Sequence, residues 1–186
     1  MNHFTINELG NTRIITHFPD KLRVQSSVSF DQKIIPRLPP IMVVDGNLNL
    51  HGARMFSTVV SDKIKGLSHE EKLNVIYHSQ LHNIQFNDIP FGLTVRGKLY
   101  LTQSATKLDI NYLFLDIGCI VHSDTRMEKI LNPYFLKIQN NEMTRADAIV
   151  DCMEELYRIG LKDRANIRED VRERYTRERL QNDANS

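Results

Sequence analysis

Residues 93–101, Leu93-Thr94-Val95-Arg96-Gly97-Lys98-Leu99-Tyr100-Leu101, and residues 42–50, Met42-Val43-Val44-Asp45-Gly46-Asn47-Leu48-Asn49-Leu50, decide how this chain is read. Both follow one template: apolar, any, apolar, three of any kind, apolar, any, apolar. Leu22, Val24, Val28 and Phe30 fill it in LRVQSSVSF, and Leu113, Leu115, Cys119 and Val121 fill it in LFLDIGCIV. All sixteen template positions are apolar. The step from Leu22 to Met42 equals the step from Leu93 to Leu113, and the step from Met42 to Leu93 exceeds two such periods by about half of one. Each copy reads as two short strands with period-2 alternation, broken by a turn. Gly46 and Gly97 occupy equivalent turn positions, where the missing Cβ tolerates a sharp bend. One such unit cannot bury its apolar file, but units stacked at a near-constant period build a continuous core. The expectation is an α+β fold: a short β-solenoid, or solenoid-like stacked sheets, over residues 1–123. A generic antiparallel β domain with alternating strands is the alternative.

The excess half-period between Met42 and Leu93 reads as an insertion. Ser68-His69-Glu70-Glu71 is a capping box and opens an inserted helix near 68–82, with Leu73, Ile76, Tyr77 and Leu81 as its apolar candidates. Ile84 and Phe86 then read as the second half of an interrupted coil. Before Phe18, a hairpin is expected from Phe4 and Ile6, a Gly10-Asn11 turn, and Ile14 and Ile15. Residues 124–186 read as a helical C-terminal region. One helix over Ser123–Leu131 is stopped by Pro133. A second is capped by Thr144, carries Ile149, Val150, Met153, Leu156 and Tyr157, and ends at Gly160; a charged third runs from about Asp163 to Leu180.

The segments 39–52 and 90–101, each a proline-led turn followed by L-x-V-x-G-x-L-x-L or a close variant, resemble a degenerate repeat of bacterial and bacteriophage proteins. Those proteins look like leucine-rich-repeat or β-helical solenoids. The resemblance covers residues from about 18 to 123. It departs from the pattern in the first copy, where Ser26 replaces the glycine, and in the last, where Ile117 does. It implies a scaffold without catalytic residues to carry over, and a phage accessory protein as a setting.

Composition excludes several classes. Among 186 residues, Lys+Arg 24 against Asp+Glu 23 gives no bulk argument for nucleic acid or an anionic membrane. No apolar run suits a bilayer crossing, the N-terminus lacks a basic start and an apolar segment, and Cys119 and Cys152 make no disulfide framework. A cytoplasmic protein without a membrane partner is expected.

Catalytic signatures are sparse, and no cofactor is implied. There is no P-loop and no G-x-G-x-x-G opening a helix, and His69-Glu70 fails H-E-x-x-H because Leu73 holds the second histidine position. His78 and His82 stand i,i+4 on the expected inserted helix, a spacing suited to a metal pair but without evident further ligands. Cys119, on a template apolar position, reads as a buried, inert thiol. Stacked coils turn outward positions into files. Gln25, Asp45, Arg96 and Asp116 form one of alternating sign, and Asp31, His51, Thr102 and His122 another. Val43, Phe114, Tyr100 and Ile120 face outward and need cover, from the chain's own helices or from a partner.

The functional expectation is a non-enzymatic protein that binds a macromolecule. Its form in a phage would be an inhibitor of a host defence or regulatory protein. Tyr100 is the aromatic anchor, with Asn49 and Lys98 beside it. The alternatives are an enzyme site of His78, His82 and Asp88 between the inserted helix and the solenoid, and nucleic-acid binding through the arginine-rich last helix. In that helix Ile167, Val171 and Tyr175 recur at i, i+4 and i+8, a narrow stripe suited to a homodimer contact or to docking on the domain.

Overall fold

The computed structural model describes residues 13–101 and 107–184, with side chains described as far as residue 178. The expected hairpin therefore lies outside the described residues except for Ile14 and Ile15, and so does Thr102 of the outward file. The described residues form a mixed fold of nine strands in two sheets and five α-helices.

The first three copies of the template lie side by side. Strand β1 (Lys21–Val24) pairs in parallel with β4 (Ile41–Val44), which pairs in parallel with the N-terminal half of β8 (Gly92–Tyr100). After the corner, β2 (Val28–Ser29), β5 (Leu48–Asn49) and the second half of β8 repeat the arrangement. Inward residues thus stack in files: Leu22 on Met42 on Leu93, Val24 on Val44 on Val95, and Val28 on Leu48 on Leu99. None of these nine is more than 6% exposed. The chain then turns into β3 (Ile34–Ile35) and β6 (Arg54–Phe56), parallel and offset by the same period. Ile14 bridges Ile34 one period earlier again. Even the left-handed backbone positions repeat, at Gln32 (φ 52°) and Gly52 (φ 60°).

The fourth copy departs from the expected register. Strand β9 (Asp116–Val121) sets Val95 against Ile117 and Leu99 against Ile120, with an irregularity between Val95 and Lys98. Leu113 and Phe114 belong to a 3-10 segment (Ile110–Phe114) that precedes the strand and is buried throughout. Consequently Ile120 points inward, and Cys119 lies opposite Lys98, only half-buried, contrary to the inward place expected for it. The glycine of this copy is Gly118, not the Ile117 position. A Cβ on Gly118 would stand 2.5 Å from the Arg96 carbonyl oxygen and 2.7 Å from that of Gly97. The same crowding holds one coil back, where a Cβ on Gly97 would stand 2.8 Å from the Gly46 carbonyl oxygen.

The insertion is larger than the half-period expected, because β8 sits directly on β4 and β5 with no coil between them. It contains α1 (Thr58–Lys63), which the sequence pattern does not announce, and α2 (His69–Tyr77). It continues through β7 (Leu81–Asn83), antiparallel to β6, to a 3-10 turn (Phe86–Asp88). The Ser68–Glu71 capping box is present, with Ser68 N–H donating to Glu71 Oε2 at 2.9 Å. The helix it opens ends at Tyr77 rather than near 82, and β-strand pairing with β6 takes over. Ile64 and Ile76 join Ile14, Ile34 and Phe56 of the small sheet in a second apolar cluster.

The other end of the stack is closed by helices. Helix α3 (Thr125–Gln139) runs through Pro133 instead of stopping there. Leu131, Tyr134 and Phe135 on either side of the proline are buried, and that packing offsets the lost helical hydrogen bond. From α3, Asn132 supplies a substitute for the next strand: its Oδ1 accepts from Ile120 N–H (2.8 Å) and its Nδ2–H donates to Ile120 C=O (2.9 Å). Helix α4 (Arg145–Arg158) buries Ala148, Ile149, Cys152 and Leu156, so that Val150 and Tyr157 face outward at 48% and 50% exposure. Helix α5 (Glu169–Ala184) follows a short 3-10 turn. Apolar residues of α3, α4 and α5 join the coils in one continuous core.

Two substitutions test this register. Gly118→Ala should lower stability by about 1–3 kcal/mol, because its new methyl meets backbone that cannot step aside; a thermal melt indistinguishable from wild type would place the glycine elsewhere. Leu99→Asp strands a charge among fully buried side chains and should abolish cooperative unfolding followed by circular dichroism.

Candidate functional site

The outward surface of the large sheet is ordered by the same register. Ser29, Asn49, Tyr100 and Val121 form one file, and Lys98 lies beside Cys119. The expected place of Ile120 in this file is taken by Val121. Tyr100 and Asn49 are half-buried and Lys98 is exposed. The three side chains are held by backbone that is itself tied across coils and within its own turns. Asn47 N–H donates to Ser27 Oγ (2.9 Å), Lys98 N–H donates to Asn47 Oδ1 (2.8 Å), and His51 N–H donates to Asn49 Oδ1 (2.9 Å). Asn47 was not singled out by sequence. Its signal was its place after Gly46 in the turn, where an amide side chain can bond the next coil's backbone.

The charged file next to this surface is built around Asp45. Arg23 donates two side-chain nitrogens to it, the closest at 3.1 Å, and Arg96 Nε stands 3.2 Å away. Asp116 does not extend the file toward Arg96. With β9 displaced, it accepts from Thr94 Oγ1 (3.0 Å) and pairs with Arg145 (3.5 Å). Pairs this exposed contribute about 0–1 kcal/mol and mainly hold register.

Of the apolar residues expected to face outward, two are covered internally. Ile120 is turned inward opposite Leu99, and Phe114 is enclosed by Phe91 and by Tyr175 of α5, with centroids 6.4 and 5.1 Å away. Helix α5 therefore docks on the chain itself. Val171 is 1% exposed, and Ile167 and Tyr175 pack partly buried against the core. Tyr175 stands edge-on to Phe91 (5.4 Å), the Arg174 guanidinium lies 4.3 Å over the same ring, and Phe91 N–H donates to Glu178 Oε2 at 2.8 Å. Arg174 also donates to the carbonyls of Asn87 and Ile89. Buried Asn111 completes the seam, donating to Asn166 C=O (3.1 Å) and accepting from Arg168 N–H (3.0 Å). The stripe of Ile167, Val171 and Tyr175 is thus occupied within one copy, and pairing between copies through it would require α5 to undock.

The arginines expected to serve a nucleic acid are in good part spent. Arg164 pairs with Asp124 (3.1 Å) and bonds the Leu108 carbonyl, and Arg168 bonds Asn87 (2.6 Å). Nor do His78 and His82 share a helix. His78 caps α2 and its Nδ1 contacts Asn74 C=O at 2.8 Å, whereas His82 sits in β7 with its Nε2 3.2 Å from Asp88 Oδ2. Among the described residues no group of three or more His, Cys, Asp or Glu is arranged to hold a metal ion. Burial raises the Cys119 thiol and pushes that of Cys152 up to about 12, so both are protonated and weakly nucleophilic near neutral pH. Among the described residues no helix is long and apolar enough to cross a membrane.

Compared with known proteins, the chain matches no family model, no curated protein and no solved structure.

Because α5 is part of the core, a chain ending at Gly160 exposes Phe91 and Phe114. It should melt well below the full chain or aggregate, and Tyr175→Ala should cost about 1–3 kcal/mol. A shortened chain that melts like the full one would mean that the helix contributes nothing to the fold.

Proposed function

We propose that the chain is a non-enzymatic protein-binding scaffold, a short β-solenoid whose outward sheet surface around Tyr100, Asn49 and Lys98 engages a protein partner. The solenoid reading is supported by parallel pairing at one constant sequence offset in β1–β4, β2–β5 and β3–β6. The observation that carries the binding reading is the placement of Tyr100. It is an aromatic side chain left half-open, whereas Ile120 and Phe114, expected to face outward as it does, are sealed. A tyrosine on a rigid sheet loses little conformational freedom on binding, and polar Asn49 and charged Lys98 beside it suit the rim of a recognition surface. The likeness of the repeat to bacteriophage proteins makes a cytoplasmic bacterial protein, in defence or regulation, the class of partner to test first, with the chain as its inhibitor.

The test is affinity purification from bacterial lysate with wild type and Tyr100→Ala in parallel, followed by titration of the recovered protein. The variant should bind more than tenfold more weakly, about the 2 kcal/mol of an anchor residue, while its melting temperature moves little. A large loss of stability with binding per folded molecule intact would make Tyr100 a packing residue and end the proposal.

A further inference from the structure

Two clefts adjoin beside the insertion and differ in the charged residues that line them. The first, of about 310 Å³, is walled by Phe18, Pro39, Pro40 and Pro90, with Asp20 and Glu178 at its polar edge. The second, of about 500 Å³, is lined by Arg37, Lys65 and Lys72, with the hydroxyl residues Thr58 and Ser61 of α1. Phe18 and Arg37 line both, so the two are halves of one groove.

Each half selects a different part of a ligand. Among the described residues neither Arg37 nor Lys72 is paired with a carboxylate, and Lys65 pairs only with Asp62 one helical turn away. Arg37 and Lys72, with Lys65 beside them already engaged by Asp62 at 2.6 Å, favour an anion with several acceptor oxygens, and a guanidinium fork with an ammonium group suits phosphate. The first half suits that anion less, since Asp20 stands there with Glu178, which already serves Arg174 (2.9 Å) and Phe91 N–H, and Arg37 is its one lining cation. Its apolar walls instead accept a flat ring. Phe18 is fixed in orientation by Phe30, 5.5 Å away at 59°, and Asp20 can accept from a ring amine or a sugar hydroxyl. Clefts of this size enclose small molecules rather than protein segments.

We infer that this groove binds a nucleotide, with its phosphates against Arg37, Lys65 and Lys72 and its base between Phe18 and the prolines. The site is separate from the surface around Tyr100 and does not depend on it.

The test is isothermal titration calorimetry on the full chain at low salt, with ADP, GDP, CDP and UDP in turn, alongside pyrophosphate and adenosine. At least one diphosphate should bind, more weakly as salt is added, and at least tenfold more tightly than pyrophosphate or adenosine. Arg37→Gln and Lys72→Gln, both at the surface of the groove, should each weaken that binding about tenfold without moving the melting temperature, the loss expected for a charge-assisted hydrogen bond. Tyr100→Ala should leave it unchanged. No heat with any of the four diphosphates, or binding indifferent to both substitutions, overturns the assignment. Pyrophosphate binding as tightly as the best nucleotide overturns the base-binding half.

Discussion

The corner between the two strands of each coil constrains everything else. There the backbone of one coil passes so near the next that no side chain fits between them, and Gly97 and Gly118 meet carbonyl oxygens of the preceding coil at distances only a hydrogen can tolerate. The same corner is stitched by Ser27 and Asn47, each accepting a backbone N–H from the following coil. Close approach at the corner fixes how the strands on either side align, and alignment is what puts Leu22, Met42 and Leu93 directly over one another. A one-residue slip would turn those files outward, so corner sterics and core burial enforce the same register.

That redundancy explains which parts of the fold could be read from residues alone. Three copies of the template carry the alternation, the second and third with the corner glycine as well, and their strands and inward residues follow from it. The fourth copy misled because LFLDIGCIV satisfies the apolar template in more than one frame: Leu113, Leu115 and Ile117 alternate as well as Leu113, Leu115, Cys119 and Val121 do. Only the clash at Gly118, a three-dimensional quantity, decides between them. Helix α1 was invisible because Thr58-Val59-Val60 has weak helix propensity, and its place rests on Ser57 as cap and Ile64 as anchor. Pro133 misled for the opposite reason, since a local rule gave way to the burial of its neighbours.

The candidate surface was legible to the extent that register makes it so. Alternation alone placed Tyr100, Asn49 and Lys98 outward. It could not say which outward residues the chain's own helices would cover, because that depends on contacts between segments as far apart as Phe91 and Tyr175. The narrow stripe of Ile167, just before α5, and of Val171 and Tyr175 on it is the clearest case. Three apolar residues are too few to define a face by themselves, yet they join the core where Phe86, Phe91 and Phe114 form an aromatic platform that Tyr175 meets edge-on. Arg174 and Arg168 then lie over that platform, which accounts for part of the helix's basic character without any external anion.

Leu93 follows Met42 in its file after a far longer stretch of chain than separates Met42 from Leu22, and the pairing of β8 with β4 and β5 is undisturbed. The stack is therefore indifferent to the length of the excursion made between Phe56 and Pro90, since both ends of the detour return to positions set by the corner. Such a junction behaves as a graft point. A different pair of helices could be carried there provided that it still covered Ile14, Ile34 and Phe56, and the groove that the present cargo helps to form with residues 16–18 and 36–37 would change while the large sheet's surface stayed as it is. Lineages of this architecture would be expected to diverge first in their cargo and last in their corners.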